Sequence, residues 1–136
     1  MKLLIKILAI DKEEIILKSI KRALNSNDKE DYLITTCDTA LEGLKLIRSD
    51  AFDLILLDMF LPGISGNELL RRIRNTYPEI PIIIMSGYSP KGIYEYEKRI
   101  SLSDSLNSAT GYLLKPFTTE EIRSKIHGVL KSSLDS

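Results

Sequence analysis

The chain has 136 residues, 43% of them apolar and 28% charged, and its 19 basic side chains cancel its 19 acidic ones. That length supports one domain with its own core and is too short for two domains of ordinary size. Balanced charge excludes the strongly basic character of many nucleic-acid binders, and a lone cysteine, Cys37, excludes an internal disulfide.

The first apolar run, 3–10, is short and broken by Lys6, and Asp11, Lys12, Glu13 and Glu14 follow it at once. It reads as a strand, not as a membrane span or a signal peptide, and the expected location is the cytoplasm. Ile16, Ile20 and Leu24 then stand at helical spacing and predict one apolar stripe. A second strand is expected over 32–37. There Cys37 reads as a structural residue, because no partner pattern of a nucleophile surrounds it.

Thr39 and Glu42 have capping-box spacing and open a helix with Leu41, Leu44, Leu46 and Ile47 on its apolar side. The third run, 54–57, is continuously aliphatic and ends at Asp58. Ser65 and Glu68 open the next helix, which carries Leu69, Leu70 and Ile73. Pro78 and Pro81 close it before the fourth strand, 82–85.

Between Ser86 and Gly111 the pattern is weak. Ser89-Pro90 suits a helix start, with Ile93, Tyr96 and Ile100 on its buried face, and 102–106 could add a short helix. A fifth strand over 112–114 and a last helix opened by Thr118 and Glu121 complete the chain, with Ile122, Ile126, Val129 and Leu130 facing the core. His127, the only histidine, falls on that helix and is given no role. Aliphatic strands alternating with helices predict an α/β, doubly wound parallel sheet of five strands in the order 2-1-3-4-5. Residues 1–136 form one domain, with a folded core over 1–131 and a tail over 132–136. No repeat, low-complexity stretch or linker is visible.

In an open parallel sheet, ligands bind beyond the carboxyl ends of the strands. Asp11, Asp58, Ser86 and Lys115 each follow or end a predicted strand, so two carboxylates, a hydroxyl and an ammonium gather at one rim. Singly, each has a plain explanation as a cap, a turn former or a solvated side chain. Together they fit one reaction. A carboxylate can attack a phosphoryl group, whose spread charge must be positioned and neutralised.

The stretches 7–11, 53–63, 82–87 and 111–117 resemble the successive motifs of response-regulator receiver domains. The run from Asp53 to Gly63 and the run from Gly111 to Phe117 are specific because they occur together at this spacing; either alone would be weak. The resemblance covers nearly the whole chain and is least between Gly87 and Gly111. It implies that Asp58 accepts a phosphoryl group from a sensor histidine kinase or a phosphotransfer protein. Asp11, Asp58 and the Phe60 backbone carbonyl would hold Mg²⁺. Ser86 would hydrogen-bond the phosphoryl group, Lys115 would pair with Asp58, and Tyr112 would be the switch aromatic. A cis peptide is implied at Lys115-Pro116. The chain would signal to a downstream protein through the fourth helix, fifth strand and fifth helix, with a homodimer as one form. It would neither bind nucleic acid directly nor meet a membrane, and it would turn over no substrate of its own.

Two features depart from that pattern. The family places two adjacent acids after strand one, whereas the second position here is Lys12. Weak Mg²⁺ binding is the expectation, since a negative charge is lost and a positive one gained beside the metal. Three arrangements are open. Glu13 swings in as a substitute ligand, Lys12 points to water, or the Lys12 ammonium itself neutralises Asp58. The second is expected, because a lysine stem reaches solvent easily. The stretch from Ser86 to Lys115 is also longer than the pattern by roughly two helical turns, and it carries Tyr94, Tyr96, Lys98 and Arg99. An alternative to phosphorylation is an interaction module that works without it. An aspartyl-nucleophile hydrolase is disfavoured by Phe60 where a second Asp would stand. A flavin-binding flavodoxin is disfavoured by the absence of a hydroxyl- and Gly-rich loop after strand one. No P-loop or dinucleotide motif occurs.

Overall fold

The computed structural model describes residues 4–25, 31–88, 91 and 109–135. Five strands pair in parallel in the order β2-β1-β3-β4-β5. The strands are β1 (Leu4–Ile10), β2 (Asp31–Cys37), β3 (Leu54–Asp58), β4 (Ile82–Ser86) and β5 (Gly111–Leu114). Among the described residues the helices are α1 (Glu14–Asn25), α2 (Ala40–Ser49), α3 (Gly66–Thr76) and α4 (Thr119–Asp135). The helix expected from Ser89-Pro90, the short one over 102–106, and Tyr94, Tyr96, Lys98 and Arg99 lie outside the described residues.

Every residue of β3 and β4 is buried, because helices cover both faces of the sheet. Alternation along the strands divides the core in two. Leu8, Ile10, Ile55, Leu57, Ile82 and Ile84 pack against Ile47 of α2 and Leu69, Leu70 and Ile73 of α3. Ile7, Ala9, Leu54, Leu56, Ile83 and Met85 pack against Leu17, Ile20 and Leu24 of α1 and Ile122, Ile126 and Val129 of α4. Arg123 Nε ties α4 to α1 by donating to the Ala23 carbonyl at 2.8 Å. Among the described residues no helix is long and apolar enough to cross a membrane.

The predicted caps form. Thr39 Oγ1 accepts from the Glu42 amide at 3.2 Å, and Ser65 Oγ from the Glu68 amide at 3.1 Å. Thr118 and Glu121 close a reciprocal box at 3.0 and 2.9 Å. Two helical stripes are rotated from the expected ones. α1 buries Leu17, Ile20, Ala23 and Leu24, and leaves Ile16 at the margin. α2 buries Ala40, Gly43 and Ile47, while Leu41 is exposed. The cause in α2 is close approach to β1. A Cβ on Gly43 would stand 2.6 Å from Ile10 Cδ1, so the small residues face the sheet and the leucines flank it. α4 continues to Asp135, past residue 131 where the folded core was expected to end.

Candidate functional site

Strand register builds the site. Ile10 of β1 lies beside Leu57 of β3, so the next residue of each strand, Asp11 and Asp58, meet at the C-terminal rim. This is where the chain order reverses across the sheet, the position at which such folds open a crevice. Asp58 lies beside Met85, so Ser86 stands one residue further out on β4. Ser86 pairs with Leu114, and the Lys115 amide donates to the Ser86 carbonyl at 2.7 Å. Asp11, Asp58 and Ser86 are all buried. Lys115-Pro116 is a cis peptide.

The loop after β3 is pinned from both sides. The Gly66 amide donates to the Met59 carbonyl at 2.9 Å. A Cβ at Gly66 would stand 2.6 Å from the Asp58 carbonyl oxygen and from Met59 Cα, so only glycine lets α3 begin this close to the acceptor. The Phe60 amide donates to Asp58 Oδ1 at 3.1 Å, which fixes the carboxylate's orientation.

Two ammonium groups then divide the carboxylates. Lys115 Nζ stands 2.6 Å from Asp11 Oδ2 and 3.5 Å from Asp58 Oδ1. Its approach to Asp11 is the closest ion pair of the site. Lys12 Nζ lies 3.2 Å from Asp58 Oδ2 and donates to the Phe60 carbonyl at 2.7 Å. Of the three arrangements open for Lys12, the structure shows the third, not the expected turn to solvent. Two oxygens, one of them a buried carboxylate, offset what the ammonium loses in hydration, so the lysine stays in. Lys115 thus reaches both carboxylates, Asp58 as expected and, nearer, Asp11. The Glu13 carboxylate stands at the half-exposed rim, 3.8 Å from Lys115 Nζ, while its amide donates to Asp11 Oδ1 at 2.8 Å. Burial pushes the Asp11 carboxyl above its ordinary 3.8, Lys115 and the Glu13 amide oppose that rise, and the neighbouring Asp58 adds to it.

Ser86 Oγ accepts from the Tyr88 amide at 2.9 Å, which leaves the hydroxyl proton for another acceptor. Tyr88 was not singled out from the sequence, although Ser86-Gly87-Tyr88 is a turn signal. Its ring meets Phe60 edge-on, with centroids 5.4 Å apart. Tyr112 is half-buried on β5, beside Ile84 and packed against the core on the α2–α3 side. His127 is exposed on α4, away from the site.

A Mg²⁺ ion needs near-octahedral oxygens at about 2.0–2.1 Å. Asp58 Oδ2 and the Phe60 carbonyl, two of the three expected donors, face the Lys12 ammonium, and Asp11 Oδ2 faces Lys115. Among the described residues no three His, Cys, Asp or Glu side chains cluster as a metal-binding group. As arranged, these residues do not fit a divalent ion.

The sheet order and the acid–lysine rim define a CheY-like phosphoacceptor fold. Residues 7–127 match the family model of the response regulator receiver domain, and the chain belongs to that family. It is 33% identical over 128 residues to the cell cycle response regulator CtrA of Brucella ovis, covering 94% of this chain and 51% of that protein. The chain thus spans about half the length of the curated relatives it matches. A CheY-like receiver domain protein from Methanospirillum hungatei superposes with a TM-score of 0.79 at 29% identity, over 98% of both chains. The response regulator TrrA of Thermotoga maritima, solved with Mg²⁺ and BeF, gives a TM-score of 0.75 at 31% identity, over 95% of this chain and 99% of that one.

Proposed function

We propose that Asp58 accepts a phosphoryl group from a phosphohistidine of a sensor kinase or phosphotransfer protein, and that the acyl phosphate alters partner binding. The observation that carries this is a buried carboxylate at the C-terminal rim with an ammonium on each oxygen: Lys115 on Oδ1 and Lys12 on Oδ2. In the transfer a carboxylate oxygen of Asp58 forms a bond to phosphorus. The phosphorus–nitrogen bond of the donor breaks, and the imidazole nitrogen keeps the electron pair. The two ammonium groups neutralise the equatorial oxygens, the largest contribution a protein makes to such a transfer. The Ser86 hydroxyl donates to one of them. Movement of Ser86 toward the phosphoryl group would be felt by Tyr112, two residues along the paired strand from Leu114, and so by β5 and the last helix, which belong to the face through which a downstream partner would read the switch. Asp11 holds Lys115 in place. Incubation with phosphoramidate followed by intact mass tests the proposal. One phosphoryl adduct is expected on the wild type and none on Asp58→Asn.

A second reading is a receiver that binds its partners without phosphorylation. The contact that favours it is the same Lys12 pair, which neutralises Asp58 before any phosphoryl group arrives. An unmodified mass together with undiminished partner binding by Asp58→Asn would select it.

A further inference from the structure

The geometry points to Lys12 as the resident cation of this site, seated where a divalent ion would bind, so that phosphoryl acceptance proceeds without metal. The inference rests on the phosphoacceptor reading of Asp58. Its basis is positional: a single ammonium touches both Asp58 Oδ2, at 3.2 Å, and the Phe60 carbonyl, at 2.7 Å. An ion bridging those oxygens would have to occupy the volume that Nζ fills.

Charge balance supports it. The family pattern sets two acids after strand one and the acceptor against one lysine and a divalent ion, and the sum is neutral. Here Asp11 and Asp58 oppose Lys12 and Lys115, and these four charges sum to zero without a metal, with Glu13 at the rim adding one negative charge. A divalent ion added to this pocket would meet two fixed ammonium groups on the very oxygens it needs, and the aspartates that would attract it are already balanced by them, with only Glu13 at the rim left over. Like charges this close in a partly desolvated site oppose entry strongly. The ammonium lacks the Lewis acidity of a metal but supplies a point charge and three donors, which suffices where transfer needs neutralisation and alignment. Lys12 is also the more exposed of the two ammonium groups, its side chain 42% exposed against 12% for Lys115. It therefore stands on the side from which a donor approaches.

Two measurements test this. In the first, wild type, Lys12→Ala and Lys12→Asp are titrated with Mn²⁺, and the unbound ion is followed by electron paramagnetic resonance. Lys12→Asp should bind at least about tenfold more tightly than wild type, with Lys12→Ala between them. Equal affinity in wild type and Lys12→Asp would overturn the inference. In the second, phosphoramidate is added with Mg²⁺ or with excess EDTA, and the adduct is timed by intact mass. Wild type should modify at the same rate in both, whereas Lys12→Asp should require Mg²⁺. Wild-type modification abolished by EDTA would also overturn it. Absence of any adduct on either protein in Mg²⁺ would count against Asp58 as acceptor, and the Mn²⁺ titration would still decide the role of Lys12.

Discussion

Replacing Lys115 by Met removes the ammonium that two buried carboxylates share. Its attraction to Asp11 at 2.6 Å and to Asp58 at 3.5 Å is roughly 5–6 kcal/mol each at an effective dielectric near 20, before the cost of dehydrating the lysine. Lys12 remains on Asp58, so the group left without a counter-charge is Asp11, which has no exposed surface. Breaking such a buried pair costs about 3–5 kcal/mol, and the surviving Lys12 places this case near the lower end. With a urea slope of about 1.5–3 kcal/mol/M, the unfolding midpoint should fall by about 1–2 M. Adding Asp11→Asn removes the orphaned charge and should recover about 2 kcal/mol, so the double variant is more stable than Lys115→Met alone. Circular dichroism against urea on the four proteins of the cycle measures both quantities. A loss under about 1 kcal/mol for Lys115→Met, or no recovery in the double variant, would refute the electrostatic reasoning.

Other substitutions examine the scaffold. Gly66→Ala places a Cβ 2.6 Å from backbone atoms of Asp58 and Met59 that cannot yield, and should cost at least the upper part of the ~1–3 kcal/mol range for overpacking. Gly43→Ala meets side-chain atoms only, Ile10 Cδ1 at 2.6 Å and Cγ1 at 3.3 Å, which can give where backbone cannot, and urea midpoints should show it less destabilised than Gly66→Ala by more than about 1 kcal/mol. Ser65→Ala removes the cap that receives the Glu68 amide and should lower stability by about 1 kcal/mol in the same assay. Burial pushes the Cys37 thiol from 9.0 up to about 12, with Glu42 and Asp38 adding to the rise. The native protein should therefore resist a thiol-specific dye at pH 8 that labels it readily in urea. Because the folded thiol ionises less readily than the unfolded one, its contribution is intact below pH 9 and is lost as pH rises toward 12. Cys37→Ala should lack that part of the alkaline decline.

Much of the fold was legible because its strands are sandwiched. The aliphatic runs ending at Asp58 and Met85 can only be covered on both faces, and that requirement implies helices on each side and a parallel order. The caps were legible because Thr39, Ser65 and Thr118 act within three residues of themselves. The rim was legible because each of its residues follows a strand and strand register does the rest. What the sequence hid depends on contacts between distant segments. The seat of Lys12 is made by Asp58 and Phe60, 46 and 48 residues away, and a rule about lysine stems reaching water knows nothing of a paired carboxylate and carbonyl. The closer approach of Lys115 to Asp11, beside its pairing with Asp58, is likewise a contact between distant segments. The rotation of α2 was hidden because leucines at helical spacing carry more apolar surface than Ala40 and Gly43, yet the close approach of that helix to Ile10 admits only small side chains.

The claim on which the rest depends is that two protein ammonium groups, and no ion, balance the paired aspartates. A crystal structure grown in saturating Mg²⁺ addresses it directly. The prediction is that Lys12 Nζ still bridges Asp58 Oδ2 and the Phe60 carbonyl while Lys115 Nζ holds Asp11. An octahedral ion on Asp58 and Phe60, with Lys12 turned out to solvent, would contradict it.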